Sequence, residues 1–212
     1  MEHQEGLDGS LTQSVSSDKL GELATTVADV SFDAVIRSGA LDGVPVFGLL
    51  GGFWKAGRSI QAELFVRKIC RFLQGVGNAS QHDREQFVRK IENQGKSAEF
   101  GEAILLILER VDEIHKPKII GRVMAAHISG AFDYDTAMRL AASVNRAFLY
   151  DLRRLKEQGA EDLNATRDLA EALFTVGLAR SQTTDGMFDP SIAGIQSYHL
   201  NSYGELLLKH GL

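Results

Sequence analysis

The chain reads as a mainly α-helical protein: a helical bundle closed by a winged-helix-like C-terminal segment that contains a small β-hairpin. Two observations predict this. Apolar residues recur at spacings of three and four from Leu20 to Leu155, the period of helices that bury one face. Beyond residue 159 that period gives way to two short β-favouring runs followed by one last amphipathic stretch. The expected organisation is a disordered tail over 1–16, a helical bundle over 17–158 and the winged-helix-like segment over 159–212.

Residues 1–16 are polar, with Gly, Ser and Gln and little to bury. From Ser17, residues Leu20, Leu23, Val27, Val30 and Ala34 form one apolar face, and Gly39 suits the end of that helix. Pro45 opens an apolar run over 44–54, where its missing N–H does no harm in a first turn. A helix over 59–73 follows, with Ile60, Leu64, Ile69 and Phe72 on one side. Ser80, with Asp83 three residues on, resembles a capping box for a helix whose inner face holds Phe87 and Ile91.

The pattern predicts another helix over 98–115 through Phe100, Ile104, Ile107, Val111 and Ile114. Pro117 opens the next, which Gly130 closes. Asp133 or Asp135 caps a long helix to about residue 158, with Ala137, Ala141, Val144, Phe148, Leu152 and Leu155 on its face. A helix over 163–174 leads to strands over 176–181 and 195–200. Asn201 caps the final helix.

Composition sets the class. The chain has 212 residues, 44% hydrophobic and 24% charged, enough for a proper core. Cys70 is the single cysteine, so no intrachain disulfide forms, and its apolar surroundings predict an inert thiol. No secretory signal pattern and no apolar run of 18 residues is present. The expected location is the cytoplasm, or a peripheral or integral place at the bacterial inner membrane, without secretion.

The net charge of −5 is unevenly spread. Residues 55–90 hold eight basic and three acidic side chains, whereas residues 1–54 hold two basic and eight acidic. The basic zone comprises Lys55, Arg58, Arg67, Lys68, Arg71, Arg84, Arg89 and Lys90. If two adjacent helices merge these into one surface, it attracts nucleic acid, an oligonucleotide signal or anionic lipid. The bland alternative is a pair of solvated faces matched by acidic neighbours. No aromatic alternation in the zone suggests base stacking.

The apolar run carries Val46, Phe47, Leu49, Leu50, Phe53 and Trp54 as candidate membrane or oligomer contacts. Eleven helical residues span about 16 Å, half of a bilayer's hydrocarbon core. The run cannot cross a membrane alone; it can lie in the interface, insert as part of a hairpin, or be buried as core.

No catalytic constellation is visible. His3, His82, His115, His127, His199 and His210 lack metal-ligand spacing, and no phosphate-binding loop or nucleophile elbow occurs. The expectation is a non-enzymatic protein with no cofactor and no metal.

Two resemblances add to this. Val176-Gly-Leu-Ala179, then Tyr198-His-Leu-Asn-Ser-Tyr-Gly204, resemble the strands and closing helix of a winged-helix module, with Asn201 where those families often carry Thr. The segment before the hairpin holds Glu161, Asp162, Asp168 and Glu171 against Arg167. Such charge repels DNA, so the module reads as a scaffold or protein-contact surface.

The Gly43-Val-Pro-Val-Phe-Gly48 turn, the Lys118-Ile-Ile-Gly-Arg-Val123 segment and the stretch from Tyr134 to Asp151-Leu152 resemble small helical bacterial defence proteins, the effectors of the Hailong anti-phage system. That resemblance implies a channel-like homo-oligomer at the inner membrane, held inactive by a single-stranded DNA oligomer or other nucleotide signal. It would make the apolar run the membrane element and the basic zone the ligand sensor. The chain departs from that pattern in lacking a spanning segment. The competing expectations are a winged-helix regulator or adaptor, and a soluble oligomeric scaffold.

Overall fold

The computed structural model describes residues 6–21, 42–56, 59–160, 163, 166–183 and 196–212; within 51–56 and at 196 it describes the backbone. The described residues form ten helices and one hairpin. The helices are α1 (Leu7–Val15), α2 (Pro45–Ala56), α3 (Ile60–Val76), α4 (Gln81–Asn93), α5 (Ser97–Arg110), α6 (Lys116–Ile128), α7 (Tyr134–Arg146), α8 (Leu149–Gln158), α9 (Arg167–Thr175) and α10 (Ser202–His210). Strands β1 (Ala179–Thr183) and β2 (Gln196–Leu200) pair antiparallel, Ala179 opposite Leu200 and Thr183 opposite Gln196. A mainly helical fold with a small C-terminal hairpin is therefore the architecture.

Local chemistry explains the helix starts. Ser80 Oγ accepts from the Asp83 N–H at 3.1 Å, Asp133 Oδ1 from Thr136 at 2.8 Å and Asn201 Oδ1 from Gly204 at 3.0 Å. Each cap satisfies an orphan donor and contributes about 1 kcal/mol. Ser59 does the same for α3, accepting from Ala62 at 3.1 Å. Pro117 lies in the first turn of α6, and Gly130 leaves that helix with φ of 80°, the left-handed conformation glycine supplies freely.

The chain separates into two compact units, Met1–Ala137 and Met138–Leu212, rather than dividing after residue 158. In the first unit α1 packs on α2 and α5, and α3 packs on α6. The α3–α6 crossing is set by backbone meeting backbone. A Cβ on Gly75 would collide with the Lys118 carbonyl, and one on Gly121 with the Phe72 carbonyl. Phe72, Leu73, Ile69, Ile120, Val123 and Met124 are fully buried around it. In the second unit α9 packs on α8 and on both strands.

Three expectations are corrected. The N-terminal stretch is not wholly disordered: Leu7–Val15 is helical, with Leu11 and Val15 fully buried. Two apolar residues four apart suffice because α5 offers Gly101, where a Cβ would strike the Asp8 backbone. Thr12 also donates to the Ser97 carbonyl at 2.8 Å. The long helix expected from residue 133 to 158 is two helices. Phe148 is extended (φ −69°, ψ 136°) and starts α8, so Leu152 and Leu155 stay buried while Phe148 is 76% exposed. Finally, the helix expected over 98–115 ends at Arg110, where Val111 turns extended. The helix expected from Ser17 to Gly39 lies largely outside the described residues.

Candidate functional site

The basic zone is not one surface. Arg84 is 2% exposed. Its guanidinium donates to the carbonyls of Val15 (2.9 Å), Ser17 (2.7 Å) and Ala79 (3.3 Å) and to Gln81 Oε1 (2.6 Å). It ties the C-terminal end of α1 to the start of α4, and burial holds its pKa below the usual arginine value. It belongs to the fold, and this corrects its assignment to a ligand surface. Arg89 and Lys90 are exposed on α4, with Arg89 paired to Glu85 at 3.3 Å. Lys55 has no described side chain, and Arg58 lies outside the described residues.

Arg67, Lys68 and Arg71 are half-buried on α3. Arg67 meets Glu63 at 2.5 Å, and Lys68 donates to the Glu109 carbonyl at 3.2 Å. Their main helical neighbour is α6 rather than α4. That helix adds Lys116, Lys118 and Arg122 and no carboxylate. The packed pair α3–α6 thus carries six Lys and Arg against one acid, Glu63, in a chain of net charge −5. Lys118 and Arg122 flank the glycine at which the helices meet, and Arg71 lies one turn before the other glycine. Sequence reading missed Lys118 and Arg122 because the zone was drawn along the chain, whereas the crossing brings in a helix 40 residues away.

The apolar run is also redistributed. Val46, Phe47 and Leu50 are buried, and Leu49 is half-buried. The Val46 N–H donates to the buried Ser14 Oγ at 2.9 Å, and α2 lies against α1. Val46, Phe47 and Leu50 are thus buried within their own unit, as in the core alternative for this run. The side chains of Phe53 and Trp54 lie outside the described ones. No described helix is long and apolar enough to cross a membrane.

A second feature was not foreseen. A groove of about 1220 Å³ opens in the first unit among α4, α5, the end of α6 and the start of α7. Four rings line it in a closed circuit. Phe87 meets Phe100 at 5.2 Å and His127 at 5.6 Å, and Tyr134 meets Phe100 at 6.2 Å and His127 at 5.8 Å between centroids. These are the edge-on and tilted geometries aromatic rings prefer. His127 Nδ1–H donates to the Phe132 carbonyl at 2.9 Å, which leaves Nε2 as the acceptor of the neutral ring. The helical spacing of Phe87 and Phe100 predicts core positions, and nothing in the local pattern links them to His127 and Tyr134.

Comparison with family models, curated proteins and solved structures finds no match. Among the described residues no group of three His, Cys, Asp or Glu is placed to hold a metal. Cys70 is buried, and desolvation raises its thiol pKa to about 11, so it stays a protonated, unreactive core group.

In the second unit the exposed face of α9 carries Arg167, Asp168 and Glu171. Arg167 pairs with Glu171 at 2.8 Å, and Asp168 with Arg154 at 2.6 Å. Both cations are thereby neutralised, and the face offers no positive surface to a duplex. Asn201, where winged-helix families often carry Thr, caps α10 and also donates to the Gly177 carbonyl at 2.9 Å.

Proposed function

We propose that the protein is a non-enzymatic, ligand-controlled effector of bacterial anti-phage defence, a homo-oligomer acting at the inner membrane under the control of a short oligonucleotide. The observation that supports this most is the packed α3–α6 pair, on which Arg67, Lys68, Arg71, Lys118 and Arg122 are half-buried beside one carboxylate, Glu63, while Lys116 is buried against Asp112. Two helices in fixed register hold Arg71, Lys118 and Arg122 near one crossing, so a flexible polyanion meets a prearranged positive field. Close glycine packing makes that crossing rigid, which suits a sensor whose state must be transmitted to the rest of the chain.

The test is a titration with short labelled single-stranded DNA at two salt concentrations. Binding should weaken as salt rises and weaken further in Arg71→Glu and Arg122→Glu. No binding at low salt removes the oligonucleotide from the proposal. Leakage from anionic liposomes tests the membrane arm, and intact vesicles with DNA both present and absent would end it. A second reading, a soluble oligonucleotide-binding scaffold, is favoured by the burial of Val46, Phe47 and Leu50 in their own unit. DNA binding without leakage selects it.

A further inference from the structure

The aromatic groove is lined by four carboxylates and three Lys and Arg side chains, and the charges that act on its Tyr134 end are acidic. Burial, and after it the nearby carboxylates of Glu99 and Asp135, push the Tyr134 hydroxyl pKa upward. Asp133, which caps α7 by accepting from the Thr136 N–H, and Asp83, in the first turn of α4, line the same groove. The carboxylates thus arrive from three elements, the starts of α4, α5 and α7. The cations Arg89, Lys90 and Lys96 also line the groove. Lys90 and Lys96 lie toward the α4–α5 turn, and Arg89 is held by Glu85. Phe87, His127 and Tyr134 are each half-exposed, so ring surface remains open to an occupant.

Ring faces carry negative charge in their quadrupole and attract ammonium groups, more so where water is partly excluded. Carboxylates around such rings add Coulombic attraction of the same sign. We infer that the groove formed by Phe87, Phe100, His127 and Tyr134 binds an aliphatic polyamine. A chain with several ammonium groups fits better than a single cation, because the acids are spread over three elements and each can meet one nitrogen. The methylene spacers then lie on the rings, which burial of apolar area favours. His127 Nε2, left as an acceptor by the Nδ1 bond, can take one ammonium hydrogen. This site is separate from the oligonucleotide surface proposed above and stands whether or not that surface binds DNA.

Spermidine is the probe, titrated calorimetrically into the full chain at physiological ionic strength. One saturable site is expected, weakened about tenfold by Tyr134→Leu through loss of the ring. Glu99→Gln with Asp135→Asn should weaken it about tenfold through loss of charge at constant shape. Tyr134→Phe, which keeps the ring face, and Glu205→Gln, a change in the second unit, should leave it unchanged. If Tyr134→Leu melts early, the two isosteric amide changes carry the test. Ring-proton shifts of His127 and Tyr134 on saturation are the matching spectroscopic signature. Absence of a saturable site, equal binding by every variant, or shifts that avoid these two rings overturns the inference.

Discussion

Helix α6 joins two regions built on different principles. In its first half, at Gly121, its backbone lies directly against α3, and Lys118 and Arg122 are the charged side chains on either side of that contact. In its last turn, at His127, four rings hold α4, α5, α6 and the start of α7 together, and carboxylates surround them. The crossing has no room for anything else, whereas the groove has about 1220 Å³ of it. A chain with a modest net charge therefore holds a cation-rich helix pair made rigid by glycine and an open, ring-lined groove whose Tyr134 end is acidic. Residues such as Gly121 are consumed by the fold, whereas the rings of the groove keep surface that a ligand can reach.

The largest effect belongs to the crossing. Gly121→Val places a branched side chain where a Cβ already collides with the Phe72 carbonyl. Overpacking against backbone that cannot move should destabilise by about 3 kcal/mol or more. Glu99→Gln in the groove should change stability by less than about 0.5 kcal/mol. Urea unfolding of both variants checks this. Equal midpoints would mean that the crossing is not the rigid region described.

The next effect separates two arginines on one helix. Arg84→Met takes the guanidinium donor from the Val15, Ser17 and Ala79 carbonyls, Ser17 keeping its longer bond from the Leu20 N–H, and should lower stability by about 2–3 kcal/mol, the range for bonds to a charged group. Arg84→Lys should recover little of it, because one ammonium cannot reproduce the planar fork. Arg89→Ala removes an exposed pair with Glu85, and its stability change should stay within about 0.5 kcal/mol. A stable Arg84→Met would return Arg84 to the surface zone.

The contrast between these two residues also shows what was legible in the chain. Helix starts were, because Ser80, Asp133 and Asn201 act on N–H groups three residues away. The inert core character of Cys70 was, because its neighbours are local and apolar. The fate of Arg84 was not: its acceptors Val15 and Ser17 lie nearly 70 residues back, in a stretch too polar to read as ordered. The ring circuit was invisible for the same reason, since Phe87, Phe100, His127 and Tyr134 come from four helices. Phe148 misled because spacing alone extends a helix through it, whereas a change of one ψ angle turns the chain and exposes the ring. Local chemistry announces itself along the chain; sites assembled by packing do not.

A stabilising change is expected in the core beside the crossing. Gln74 is 1% exposed on α3, and neither its Oε1 nor its Nε2 has a hydrogen-bond partner among the described residues. A buried unpaired amide costs about 1–3 kcal/mol, and leucine is close to it in volume. Gln74→Leu should therefore raise stability by about 1–2 kcal/mol, seen as a higher melting temperature. A lower one would show that the amide has a partner in solution, and the region around Gly75 would then be more polar than the comparison holds.

The smallest effect concerns acid. Lys116, 2% exposed by its side chain, opens α6 and donates to Asp112 at 2.6 Å. A positive charge at a helix N-terminus opposes the helix dipole, so the carboxylate offsets both that field and the burial. The hydrogen bond from Lys116 holds Asp112 below the ordinary carboxylate pKa. With a depressed folded pKa, the stabilisation is complete above the unfolded value of about 3.9 and is lost as pH falls through the folded one. Asp112 is 72% exposed, so solvent screening limits the contribution to about 0.5 kcal/mol. Asp112→Asn should therefore shrink the difference in unfolding free energy between neutral and acid pH by about that amount, while leaving the groove's affinity for spermidine unchanged. An acid limb of unaltered depth would assign the acid sensitivity to other carboxylates, Asp168 beside Arg154 in the second unit being the next to replace.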